Sequence, residues 1–145
     1  MSAPVNSPLR EVRVALAGLL APALGIAVHA SLGTGSLHAG TGYLRPARGR
    51  PYVSTTDEGA TFTKPVVAMQ AILCVPNANW ESAQDWIDDK TQDALLAIDL
   101  DPTLGGLIGQ LVLTEVSEPG LINQQLLAIE LSFRPFTVRR LKVTA

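Results

Sequence analysis

The sequence predicts an α+β fold: a mostly antiparallel sheet with two amphipathic helices packed on one face. Three observations lead there. Apolar residues recur at spacings of three and four near the N-terminus and again over residues 80–97. Residues 66–75 form a nearly unbroken apolar run, as a central strand does. Two alternating segments flank a turn signature of Ser117, Glu118, Pro119 and Gly120. At 145 residues the chain is read as one domain, 1–145, with residues 1–6 as an N-terminal arm.

The first helix opens with Ser7 as N-cap and Pro8 at the first helical position. Leu9, Val12, Leu16, Leu19 and Leu20 line one face, and Arg10, Arg13 and Ala17 the other. Pro22 is expected to end it. A strand follows, with Ile26, Val28, Ala30 and Leu32 alternating against Ala27, His29 and Ser31. Residues 14–44 carry no Asp, Glu, Lys or Arg, so a signal peptide or membrane span has to be weighed. Glu11 in the would-be basic region, and Gly18, Pro22 and Gly25 within the apolar run, count against both. No membrane association is expected.

Residues 33–63 read as a long loop or hairpin punctuated by Gly33, Gly35, Gly40, Gly42 and Gly49. It carries Arg45, Arg48 and Arg50, with Tyr43 and Tyr52 on either side, and a loop this long is expected to be functional. After the 66–75 strand, Asn79 is the N-cap of a helix over 80–97. Trp80, Ala83, Ile87, Thr91, Ala94 and Ile98 form its apolar stripe. Residues 108–116 and 125–134 are the antiparallel pair, the second with Leu127, Ile129, Leu131 and Phe133 on one face. Residues 136–145 are a C-terminal arm or edge strand carrying Arg139 and Arg140.

The chemistry-bearing residues do not assemble into a catalytic pattern. The chain has one cysteine, Cys74, which excludes an intrachain disulfide and a cysteine-based zinc site. On an apolar strand it reads as a buried small hydrophobe. His29 and His38 lie on different predicted elements, with no nucleophile elbow near either. Gly33, Thr34 and Gly35 lack the Lys and the helix start of a phosphate loop. Asp85, Asp88, Asp89 and Asp93 share one face of the second helix. A cation site needs oxygen ligands converging from several directions, so this face is read as solvated or as the match for a basic partner. No metal or cofactor is expected.

Net charge is −2 and only 17% of residues are charged, which excludes a polybasic nucleic-acid binder. Mean hydropathy is +0.24, so apolar surface is left over for partners. Trp86 falls off the apolar stripe and is a candidate interface anchor. The arginines at 45, 48, 50, 139 and 140 are opposite in sign to the acidic helix face, and the two are expected to meet between neighbouring copies. If the acidic face instead lines a DNA channel, it repels phosphate and lets DNA slide.

The layout resembles the tail terminator (tail completion) proteins of long-tailed bacteriophages and related phage-tail-like particles. Three stretches carry the likeness: the helix 7–20 running into the strand 25–32; Leu44, Arg45 and Pro46 through Tyr52, then Thr61, Phe62 and Thr63 into the strand 66–75; and the helix 80–97, Gly105, Gly106 and the hairpin ending in 126–133. The resemblance spans roughly residues 7–135 and is one of element order and length. It implies a structural virion protein, not an enzyme, assembled in the host cytoplasm. Such a protein forms a homo-oligomeric ring, hexameric in the family, on the head-proximal end of the tail. The ring stops polymerisation of the tail tube protein, meets the head–tail connector or stopper, and passes DNA through its lumen without sequence-specific binding. Alternatives are a tube subunit, a head–tail joining protein, or a small cellular α+β ligand-binding domain.

Overall fold

Val12, Leu16, Leu20 and Leu24 recur every fourth residue, and all four are buried along one side of helix α1 (Pro8–Leu24). They belong to a computed structural model that describes residues 8–31, 38–54, 65–76, 79–122 and 126–139. The expected cap Ser7 lies outside these residues. Pro22 does not end the helix as the sequence predicts; it sits inside the last turn, exposed. Its missing N–H leaves only the Gly18 carbonyl without a helical partner, and Gly18 is exposed. The stop is Gly25, in the left-handed region at φ 67, with the Ile26 N–H closing back on the Ala21 carbonyl at 3.3 Å. Ala17, expected on the solvent side, is buried.

The strand expected over 25–32 shrinks to β1 (Val28–His29). The segment read as a long loop or hairpin contributes β2 (Gly42–Pro46), which pairs parallel with β1 and antiparallel with β5 (Met69–Cys74). A Cβ on Gly42 would stand 2.9 Å from Leu73 Cδ2 and 3.3 Å from Val28 Cγ2. The close approach of the three strands therefore requires glycine there.

β5 is the central strand expected, buried at all six positions. Its other neighbour is β8 (Leu126–Phe133), which also pairs with β6 (Leu113–Val116) and β7 (Gly120–Ile122). The sheet order is β1-β2-β5-β8-β6, with β7 on β8. Only four of the residues expected in the 108–116 strand form β6; Ile108 instead bridges Val138.

The apolar run does not stay in one sheet. β3 (Val53–Ser54), β4 (Val66–Val67) and β9 (Phe136–Thr137) make a second, three-stranded sheet. Pro135 has no N–H to donate to a ladder, and β8 gives way to β9 across it while β4 gives way to β5 across Ala68. β9 is the edge strand of this sheet, one of the two readings of residues 136–145, of which 140–145 lie outside the described residues. Val66 and Val67 pair with it on one side, and on the other the Gly109 N–H donates to the Thr137 carbonyl at 2.9 Å.

Helix α2 (Trp80–Leu100) starts where Asn79 predicts: the Asn79 side chain accepts from the Glu81 N–H at 3.0 Å. It runs past residue 97 because Ile98 continues the buried line of Ala83, Ile87 and Ala94. The Trp80 side chain lies outside the described residues. Both helices pack on the face formed by Leu44, Ala71, Leu73, Ile129, Leu131 and Phe133. Each fully buried leucine there contributes about 1.5–3 kcal/mol. Among the described residues, no helix is long and apolar enough to cross a membrane. The class is α+β with mostly antiparallel strands, as predicted.

Candidate functional site

β1 stops after pairing with Gly42 and Tyr43, so among the described residues no strand flanks the outer edge of β2 beyond them. A cleft of about 450 Å³ fills that place, lined by Leu9, Arg10 and Arg13 of α1, by Ser31, by Leu44, Arg45 and Pro46 of β2, and by Tyr52. Three guanidinium groups border it, and none of the described residues that line it is acidic. Arg13 is held by donating to the Ala30 carbonyl at 3.0 Å, and Arg45 Nε donates to the Pro46 carbonyl at 3.1 Å. Tyr52 is half-buried against the core. Of this set, sequence reasoning named Arg45 and Tyr52. It passed over Arg10 and Arg13, which read as the wet face of an amphipathic helix.

The second surface lies at the other end of the helix pair. Leu19, Pro22 and Ala23 of α1 and Asp93, Leu96, Ala97 and Leu100 of α2 border a groove of about 280 Å³. Asp89 is one turn before Asp93, and Asp85 one turn before that. The acidic line thus runs into an apolar one. Leu96 is 52% exposed and Leu100 86%, unusual for leucines in a chain this size. Asp85, Asp88 and Asp89 are exposed and Asp93 half-buried. Asp88 accepts from Gln84 at 2.8 Å, while Asp85, Asp89 and Asp93 have no ion pair among the described residues. Lys90, the basic residue in this stretch, is turned inward. Its Nζ donates to the Leu24 carbonyl at 2.6 Å, neutralising the negative end of α1, and lies 5.7 Å from the Trp86 ring centre.

A third cluster sits on the sheet face away from the helices. Arg48 Nη2 lies 3.6 Å from Glu130 Oε1, and Gln70 Nε2 is 3.5 Å from Glu130 Oε2. Arg48 is 64% and Glu130 30% exposed, so the pair adds at most about 1 kcal/mol. Gln70 is buried, and its Oε1 has no hydrogen-bond partner.

The remaining candidates scatter. Arg48 faces Glu130 of its own chain and remains largely exposed. Arg50 borders a separate recess of about 400 Å³ with Ser54, Val66 and Pro135. Trp86 is half-buried, packed against the core with Lys90 Nζ over its ring. Arg139 is exposed, with its N–H on the Leu107 carbonyl, and Arg140 lies outside the described residues. His29 and His38, nine residues apart, both approach Tyr43: the His29 ring is centred 5.2 Å from the tyrosine ring, and the His38 backbone N–H donates to the phenol oxygen at 3.2 Å. Cys74 is fully buried, and burial pushes its thiol up from the ordinary value, away from the reactive thiolate. Among the described residues, no three His, Cys, Asp or Glu side chains are grouped to hold a metal ion.

Set against known proteins, the chain matches no family profile and no curated protein. Its surfaces are therefore read from their own chemistry.

Proposed function

We propose that this chain is a structural component of a phage tail or phage-tail-like particle. It closes a ring, hexameric by resemblance, on the head-proximal end of the tail tube. The ring stops the tube protein from adding further layers and presents its opposite face to the head–tail connector, while DNA passes through its lumen. It works by surface contact, without making or breaking covalent bonds, within the virion and after assembly in the host cytoplasm.

One observation carries this reading: the outer side of the helix layer keeps Val14, Leu95, Leu96 and Leu100 exposed, at 55%, 43%, 52% and 86%. Exposed leucines side by side on a helix are costly to hydrate and gain by being covered by another protein surface. The order of elements, with both helices on one face of an antiparallel sheet, supports it as well.

The experiment is tube growth. Purified chain added to a polymerising tail tube protein of the same particle should give short tubes capped at one end, visible by negative-stain electron microscopy. Tubes of unchanged length, with no density at their ends, would refute the proposal.

A further inference from the structure

We propose that residues 140–145 of one copy of this chain lie along the leucine groove of the next (Leu19, Asp93, Leu96, Leu100), linking copies head to tail. The inference rests on the reading that the chain works by joining copies of itself, and it names the contact.

The groove has an apolar floor and an acidic rim. Leu96 and Leu100 stand one turn apart on α2, about 6 Å along its axis, with Asp93 in the lining and Asp99 exposed next to Leu100. Leu19, Pro22 and Ala23 of α1 form the other wall. Within the chain Leu96 stays 52% and Leu100 86% exposed, so the cover for these leucines comes from a second molecule. Along α2, Asp85, Asp88, Asp89, Asp93 and Asp99 stand against a single cation, Lys90, whose Nζ donates to the Leu24 carbonyl.

The sequence after β9 is the complement of this surface. Residues 139–145 read Arg, Arg, Leu, Lys, Val, Thr, Ala, with three cations, no acid, and an apolar side chain at every second position from Leu141. In an extended chain Leu141 and Val143 point to one side about 6.6 Å apart, close to the spacing of Leu96 and Leu100. Arg140 and Lys142 carry long flexible stems and reach the carboxylates of Asp93 and Asp99 at the rim. The segment sets out from a fixed point, because the Arg139 N–H donates to the Leu107 carbonyl at 2.8 Å. Six extended residues reach about 20 Å beyond it, enough to cross to a neighbouring copy. A donated segment and a receiving groove are unlike surfaces, so the contact repeats head to tail and closes a ring or extends a filament.

The test is disulfide trapping in the full chain with Cys74→Ala as background. Leu96→Cys makes one variant and Val143→Cys the other. Mixed in equal amounts and oxidised, they should give a covalent dimer holding one of each by mass spectrometry, and each alone should stay monomeric on a non-reducing gel. Removal of residues 140–145 should weaken association of the otherwise unchanged chain at least about tenfold by sedimentation, through the lost apolar contacts. Circular dichroism melts establish that each variant is folded; should a cysteine variant unfold, the shortened chain reads the same contact. A dimer from Leu96→Cys alone would set groove against groove. No mixed dimer, with the doubly substituted chain closing a disulfide within itself, would set the segment on its own groove. No disulfide at all, with association unchanged by the shortening, would place the joint elsewhere. Each of these three outcomes overturns the contact while leaving tube capping to its own assay, and a chain that forms the mixed dimer but leaves tubes uncapped keeps the contact and loses the proposed function.

Discussion

Leu73 and Ile72 are neighbours on β5, yet they face two different environments. Leu73 points with Met69 and Ala71 into the large cluster closed by both helices, where α1 alone supplies Val12, Leu16, Leu20 and Leu24. Ile72 points the other way, into a small cluster with Tyr43, Cys74 and Ala128. On that side the sheet also carries Gln70, with an orphan buried oxygen, and the partly exposed Glu130 and Arg48. The helix-covered face holds the fold together. The opposite face tolerates polar groups whose hydrogen bonds are only half made, and so contributes less per residue.

The sharpest way to break this contrast is to truncate the two neighbours separately. Leu73→Ala should cost about 3–5 kcal/mol in urea unfolding, because the helices above it are pinned and the void stays open. Ile72→Ala should cost about 2 kcal/mol, since a thin cluster collapses more easily around the loss. Equal losses, or the reverse order, would mean the two faces are equally rigid.

A smaller effect comes from Gln70→Met. It removes a buried acceptor left without a donor, a group that costs about 1–3 kcal/mol to desolvate, and it keeps the side-chain volume. Stability should hold within about 1 kcal/mol of the original chain or rise. A loss beyond about 2 kcal/mol would show that the amide is better satisfied than its long Nε2 bond to Glu130 and its orphan oxygen suggest.

At neutral pH the smallest effect belongs to Cys74, which shows only in alkali. Burial raises its folded-state pKa above the unfolded value, so its contribution to stability is whole below the ordinary thiol pKa and is lost as pH rises through the folded one. Unfolding free energies of the original chain from urea titrations should therefore fall more steeply in alkali than those of Cys74→Ala, by up to about 1.4 kcal/mol per pH unit. Parallel curves would show that the thiol is not desolvated.

The parts of the fold legible in the sequence are those with long periodic patterns. The helix cap at Asn79, the buried line of α2, the burial of β5 and the two-faced alternation of β8 each rest on many residues in a row. Gly42, Tyr43, Leu44, Arg45 and Pro46 offer no such pattern. Their strand exists because β5, distant in sequence, supplies a partner for each of them. Pro22 misled because a proline breaks a helix only where its lost bond matters, and one turn from the end little is lost. Of the site residues, the acidic line Asp85, Asp89 and Asp93 was visible from its spacing. The arginine cleft was not, since Arg10 and Arg13 meet Arg45 only where β1 ends early.

Local chemistry in the chain thus determined the class of fold, the helices, the central strands and the signs of charge on each helix face. These follow from hydrophobic period and capping, which act over a few residues. Tertiary structure decided which strand stands beside which, where the sheet divides at Pro135, and which charged groups share a cleft. Those depend on contacts between segments far apart in sequence, where closing the chain and packing the core outweigh local preference.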